Sequence, residues 1–426
     1  MATAAICHAS NPLQSPVSNS LFVVDGVERL NNLRIVDPMK TSTLNLTLLQ
    51  RNSYLRCLVA SLLFTLAASQ LGCGSNRPTL TTENESPASS DDSATSDGQS
   101  DIRERLNRYK PRITDYGVFK LPVSDLEPAE GVIEYELNTP LFTDYAQKQR
   151  LIKLPPGTSA SYTSTGPLDF PVGTVIAKTF YYAADLNDPT SRRHLVETRI
   201  LEHLESGWIG IPYVWNQEQT EATLAIAGAD IDVAWKHTDG EMRTNTHTVP
   251  NLNDCKRCHL NLIMEPIGPK ANNLNRDFVF KHGAENQLAH WASRGMLVGL
   301  PELNNVSKLV DWADPELPVD LRARAYLEVN CAHCHSPQGP ARNSGLHLNI
   351  EETDMYHVGK FKTPVAAGRG TGGRLYGIVP GKPDESILEH RMQTTQPGEI
   401  MPEFGKSLVH VEGLELIRKW IKEMKP

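Results

Sequence analysis

The chain has 426 residues, 39% of them hydrophobic, with seven cysteines and a formal net charge of −8. That length suggests two to four domains with folded cores, and the acidic balance argues against a nucleic-acid binder while suiting a soluble surface. Four cysteines lie between 255 and 334, and Cys7, Cys57 and Cys73 fall in the first 73 residues, which argues against a disulfide framework.

The N-terminal region reads as an export leader. Arg51 and Arg56 precede the apolar run from Cys57 to Ala68. About a dozen apolar residues are too few to span a bilayer and suit a signal-peptide core. Residues 1–38 fit that leader poorly. Initiation at Met39 gives Met39-Lys40 and a leader of normal length over 39–72, so 1–38 is expected to be an extension upstream of the true start. Gln70-Leu71-Gly72-Cys73-Gly74 resembles a bacterial lipoprotein cleavage site, although Gln70 stands where an aliphatic residue is usual. The expectation is a periplasmic or cell-envelope protein held to a membrane by a lipid on Cys73; an ordinary signal peptide with an incidental cysteine is the alternative. Losing residues 1–72, with five basic and three acidic groups, takes the net charge to about −10. Residues 74–100 are mostly Ser, Thr, Asp, Glu, Gly and Pro, and read as a flexible tether.

Residues 101–250 read as mostly β. Thr174–Tyr182 and Leu195–Leu201 are apolar runs, and Pro155-Pro156-Gly157, Asn187-Asp188-Pro189 and Ala227-Gly228-Ala229-Asp230 supply the breaks. The spacing suits an antiparallel, sandwich-like domain. Asp144, Tyr145 and Lys148 are expected at turns and sheet edges rather than in catalysis. Trp208, Tyr213 and Trp215 are expected in the core rather than on a ligand surface.

After Pro250 the character changes. Cys255-Lys256-Arg257-Cys258-His259 and Cys331-Ala332-His333-Cys334-His335 are both C-x-x-C-H, the attachment signature of c-type haem. Two thiols add across the two vinyl groups of one porphyrin, and the adjacent imidazole coordinates iron. Positions i, i+3 and i+4 of a helical turn share one face, so all three groups can meet one macrocycle. From this composition, one such string arises by chance roughly 0.004 times in a chain of this length. A four-cysteine zinc site or thiol redox pairs are the competing readings, but neither requires histidine after both pairs. Two haem c groups are therefore expected, on Cys255, Cys258, Cys331 and Cys334, with His259 and His335 as proximal iron ligands. Residues 251–315 form the first unit, with a helix-like stretch Glu285–Arg294 closed by Gly295. Residues 316–426 form the second, with a helix over Leu321–Asn330 leading into Cys331. At its C-terminus Leu414, Ile417, Trp420, Ile421 and Met424 mark one apolar helical face. Each unit is small for a self-sufficient core, and a covalent porphyrin would add buried surface.

Several phrases resemble an uncharacterised bacterial family of dihaem c-type cytochromes: Leu137–Ala146 (LNTPLFTDYA), Asp169–Thr174 (DFPVGT), Gly207-Trp208, Tyr213–Asn216 (YVWN), Ile267–Lys270 (IGPK) and Ala325–Asn330 (AYLEVN). The resemblance covers roughly 115–425. It implies a mostly-β, sandwich-like domain followed by two small, mainly α, cytochrome c-like units, the last with its leading and C-terminal helices packed together. It brings no established substrate.

The sixth iron ligand separates electron carriers from catalysts. For the second haem Met401 is favoured, 66 residues beyond His335 and just before the C-terminal helix, over Met355 and Met392; Met392 reads as a packing residue. For the first haem Met296 is favoured over Met264, which is too close to His259 to reach the opposite face, with His282 and His290 as bis-histidine alternatives. The leading functional expectation is electron transfer with redox partner proteins of the cell envelope. A dihaem peroxidase, the haem subunit of a periplasmic dehydrogenase, and a surface-binding module with accessory haems are the alternatives.

Overall fold

Alternating apolar and polar runs between Gly/Pro-rich breaks produce one large antiparallel sheet. The computed structural model describes residues 108–426 other than Leu262. The expected extension, leader, lipidated Cys73 and tether lie outside the described residues. The first half is mostly β: β1 (Val132–Glu134), β2 (Gln147–Lys153), β3 (Ala160–Ser161), β4 (Val175–Ala183), β5 (Arg193–Leu204), β6 (Gly207–Trp215), β7 (Ala222–Leu224), β8 (Ala229–Lys236) and β9 (Met242–Val249). Six of them form an antiparallel sheet in the order β1-β2-β4-β5-β6-β7, and β8 pairs with β9 as a separate ribbon. The break at 227–230 is shorter than expected, because β8 already begins at Ala229. Gly228 makes the turn at φ +76, where a Cβ would lie 2.4 Å from the Val249 carbonyl oxygen.

Small helical units follow. They comprise α1 (Cys255–His259), hairpins β10 (Leu260–Asn261) with β11 (Ile263–Met264) and β12 (Asp277–Phe280) with β13 (Gly283–Asn286), α2 (Ala271–Leu274), α3 (Gln287–Ser293), β14 (Leu297–Val298), α4 (Val319–Asn330), α5 (Met355–Val358), α6 (Ile387–Gln393) and α7 (Val411–Glu423). The helix expected from Glu285 starts two residues later. Glu285 and Asn286 belong to β13, and the Asn286 side chain accepts from the backbone N–H of Leu288 and Ala289 as an N-cap. Gly295 ends the segment at φ +69, as expected.

Period-2 alternation gives the sheet two distinct faces. Leu151, Val175 and Ala177 pack into a core with Ile113, Tyr116, Tyr213 and Trp215. On the opposite face Ile152, Ile176 and Leu201 share a core with Leu274, Leu288, Trp291 and Leu297. The segment 271–306 is thus built onto the sheet, and β14 adds to β3 in parallel. The ribbon covers another part of that face, where Phe180 and Tyr182 meet Val233 and Trp235.

In the C-terminal unit α4 crosses α7 at Gly413, where a Cβ would lie 2.5 Å from the Tyr326 hydroxyl oxygen. Leu414, Ile417, Trp420 and Ile421 pack onto Ala323, Tyr326 and Leu327. The Trp420 indole N–H donates to Asp320 at 2.8 Å. Among the described residues no helix is long and apolar enough to cross a membrane.

Candidate functional site

Each C-x-x-C-H string adopts a helical turn. Cys255–His259 is α1 itself. In the second string α4 runs directly into Cys331, whose N–H bonds the Leu327 carbonyl, and the His335 N–H bonds the Cys331 carbonyl at 2.9 Å. The i, i+3, i+4 presentation that porphyrin attachment needs is therefore present twice.

Both imidazoles are oriented through Nδ1. His259 Nδ1 lies 2.7 Å from the Glu265 carbonyl oxygen, a pure acceptor, so Nδ1 carries the proton and Nε2 keeps its lone pair. His335 Nδ1 lies 3.1 Å from Ser344 Oγ, whose own hydrogen goes to the Ala341 carbonyl at 2.7 Å. The ring must again donate from Nδ1. This is the orienting hydrogen bond that metal-bound histidines use. Burial, then the Lys178 charge, holds His259 down to about 3, and burial, then Arg391, holds His335 down to about 4. Both rings are neutral at neutral pH, as ligation requires.

The two strings abut. The Cys334 thiol and the His333 ring sit against Cys258 and hold its thiol well below the ordinary range, and the same contact raises Cys334. Burial pushes Cys331 up to about 12. Among the described residues the groupings that could hold a metal through three His, Cys, Asp or Glu side chains contain no cysteine. A four-cysteine zinc site therefore finds no convergence point there. His333 Nδ1 is buried without a hydrogen-bond partner.

Beside the junction lies a cavity of about 1150 Å³, lined by Cys258, His259 and His333 together with Leu141, Phe142, Phe170, Phe180, Trp208 and Met264. It exceeds the roughly 300–1,000 Å³ typical of small-molecule sites. One wall is the sheet. Ile152, Ile176, Leu201 and Gly210 face one another across β2, β4, β5 and β6. Gly210 is required here, since a Cβ would lie 2.8 Å from Cys255 Cβ and 2.9 Å from its sulfur. The next row is Arg150, Lys178 and Arg199, directly opposed across three strands, and all three line the cavity. Like charges opposed in a sheet cost up to about 1 kcal/mol per pair. Arg199 is offset by the buried Glu197, at 2.8 Å from its Nε. Arg150 is buried with Nε unpartnered. Burial, then Arg150 and Arg199, brings Lys178 down to about 7. A cavity with aromatic and aliphatic side chains among its polar lining and a cationic row on one wall suits a flat apolar macrocycle that bears carboxylates, so the residues present fit a haem.

The expected sixth ligands fall in different places. Met401 is half-buried, its N–H bonded to the Arg391 carbonyl and its carbonyl to Lys406 Nζ at 2.9 Å. Lys406 in turn lies near Cys331. The loop after Met401 also reaches the first string, where Arg257 stacks on Phe404 at 3.9 Å. Met392 and Met355 pack in the C-terminal core. Met296 packs in the core with Trp291 and Leu297, on the same face of the sheet as the cavity but not in its lining, whereas Met264 lines the cavity. His282 and His290 stack with Phe280 and share Glu285. Tyr213 and Trp215 are buried as core residues; Trp208 is half-buried, stacks on His203 at 4.4 Å and lines the cavity.

Residues 137–146 strap the units together. The Phe142 N–H donates to Asn330 at 2.8 Å, and its ring stacks on His410 at 4.0 Å. Asp144 accepts from the Ser407 and Leu408 N–H groups and the Ser407 hydroxyl. The Tyr145 hydroxyl donates to Glu412 at 3.0 Å. Lys148 donates to the Leu141 and Ala146 carbonyls. Lys270 pairs with the buried Glu328 at 2.6 Å, joining the two string-bearing segments. The sequence offered no periodic signal for these long-range partners. Compared with known proteins, the chain matches no family model, no curated protein and no solved structure.

Proposed function

We propose that this chain is an exported dihaem c-type cytochrome that transfers electrons within the cell envelope, anchored through Cys73. The observation that carries the reading is the pair of C-x-x-C-H turns, each with an imidazole whose Nδ1–H is committed and whose Nε2 is free. Bound haem would supply a one-electron couple at iron. Cys255 and Cys258 would hold one porphyrin, Cys331 and Cys334 the other, each thiol adding S–H across a vinyl group without net oxidation. Arg150, Lys178 and Arg199 would bind carboxylates at the cavity wall. The contact between Cys258 and Cys334 would place the two attachment sites next to each other. Met401 remains the proposed sixth ligand of the second iron.

In this reading the small helical units are cytochrome c-like, the β region belongs to the same dihaem family, and transient interfaces serve the redox partners. A second reading, a haem-dependent catalyst such as a peroxidase, draws on His333: a half-buried imidazole whose buried Nδ1 is unpartnered, on the cavity wall, suits proton transfer. The test is periplasmic maturation followed by pyridine haemochrome and intact mass. Two covalent haems per chain are expected, and fewer than two overturns the proposal. Electron paramagnetic resonance of the ferric protein then separates the readings: two low-spin irons indifferent to peroxide and cyanide leave only the electron carrier.

A further inference from the structure

Outside both C-x-x-C-H strings, His347, Glu352 and, on α5, His357 converge in the segment that follows the second string. His347 Nδ1 lies 3.1 Å from Glu352 Oε2 and His357 Nδ1 lies 3.2 Å from the same oxygen. All three candidate donor atoms fall within 4.8 Å of one another. Metal–ligand bonds of about 2.1 Å in tetrahedral geometry place neighbouring donors ~3.4 Å apart. The two histidine–carboxylate separations are close to that edge.

The arrangement is held from outside. The His347 N–H donates to the His357 carbonyl at 3.0 Å, fixing the two histidines side by side, and the Leu348 N–H donates to the His335 carbonyl. Glu352 Oε1 is occupied by the Asp354 N–H at 2.9 Å, which turns Oε2 toward the rings. Arg324, from α4, donates to the carbonyls of Asn349, Ile350 and Glu352. The Ile350 N–H donates to the buried Glu328. Little ordering is left to be done on binding, which favours affinity. A second cluster, His282, Glu285 and His290, has comparable distances but sits on a hairpin, with half of the His282 side chain exposed.

We infer that His347, Glu352 and His357 form a binding site for a divalent first-row transition ion, zinc above all. Two imidazole nitrogens and one carboxylate oxygen are a borderline donor set that selects zinc-like ions over calcium or magnesium. Binding at the two Nδ1 atoms needs each neutral imidazole to carry its proton on Nε2 instead, and leaves the remaining coordination position to solvent. Through Leu348 and His335 the ion clamps the proximal side of the second string.

Calorimetric titration of Zn²⁺ into the full chain after cytochrome maturation tests this, with free thiols capped by iodoacetamide and His282→Ala in the background to silence the hairpin cluster. One ion per chain is expected, not displaced by excess Ca²⁺, and Zn²⁺ raises the unfolding temperature. Glu352→Gln and His357→Ala should each weaken binding at least tenfold and abolish the thermal shift. Absence of binding heat, displacement by Ca²⁺, or unchanged affinity in both variants overturns the site. The ligands lie outside the cysteine strings, and haem content is read by pyridine haemochrome on the same sample, so the two proposals fail separately.

Discussion

Asp144 docks the sheet onto the loop that follows Met401, and its removal has a calculable cost. Its carboxylate is buried and accepts from Leu408 N–H at 2.8 Å, from Ser407 N–H at 2.9 Å and from the Ser407 hydroxyl at 2.7 Å. Hydrogen bonds to a charged acceptor are worth about 1.5–3 kcal/mol each. Ser407 is exposed and its donors can turn to water, so the half-buried Leu408 N–H carries most of the loss. Asp144 also sits at φ 45, a left-handed conformation that costs alanine about 1 kcal/mol more than aspartate or asparagine. Asp144→Ala should therefore destabilise by about 2.5–4 kcal/mol. Asp144→Asn keeps one acceptor and the tolerated backbone, and should cost about 1 kcal/mol. Urea unfolding followed by circular dichroism gives both values, and hydrogen exchange reads the Leu408 amide directly. A shift under about 0.5 kcal/mol for Asp144→Ala, or unchanged Leu408 protection, refutes the docking role.

Three other outcomes follow from the packing. Gly413→Ala places a methyl against the Tyr326 ring; overpacking of about 1–3 kcal/mol exceeds the helix-propensity gain of about 1, so thermal unfolding should occur earlier, and a stabilised variant would contradict the crossing. Gly210→Ala forces the sheet away from Cys255 and should destabilise by about 1–3 kcal/mol. If the haem proposal holds, alkylation and mass spectrometry should also find Cys255 free in part of the matured protein; complete attachment at unchanged stability argues against the contact. Burial opposes the Glu197 charge, but Arg199 and His247 outweigh it and hold the carboxyl down to about 2 from an ordinary 4.5. A lowered acid contributes stability that is full above the unfolded value and lost as pH falls through about 4.5 to 2, some ~3 kcal/mol here. Glu197→Gln should be less stable at neutral pH and lose that part of the acid transition; an acid midpoint identical to the parent's would refute the linkage.

The legible features were those whose causes are local. Apolar runs gave β4 and β5 to within a few residues, and Leu321–Asn330 lies inside α4, because hydrophobic period and turn-formers act over one element. The helix at 287 was misplaced by two residues because a hairpin strand competed for Glu285 and Asn286. Met296 reads as a ligand from the sequence, yet its side chain packs in the core with Trp291 and Leu297 and not on the cavity wall, which only tertiary packing decides. Asp144 and Tyr145 read as turn residues, and do make a turn, but their partners are more than 260 residues away.

Two five-residue strings determine by themselves the one-sided presentation of two sulfurs and an imidazole, since a single helical turn sets it. That these strings meet through Cys258, His333 and Cys334 was decided only in three dimensions. So were the opposition of Arg150, Lys178 and Arg199 across three strands and the convergence of Glu352 with two histidines. Those arrangements depend on strand register and on loops tied to distant helices, interactions that no local run of residues encodes.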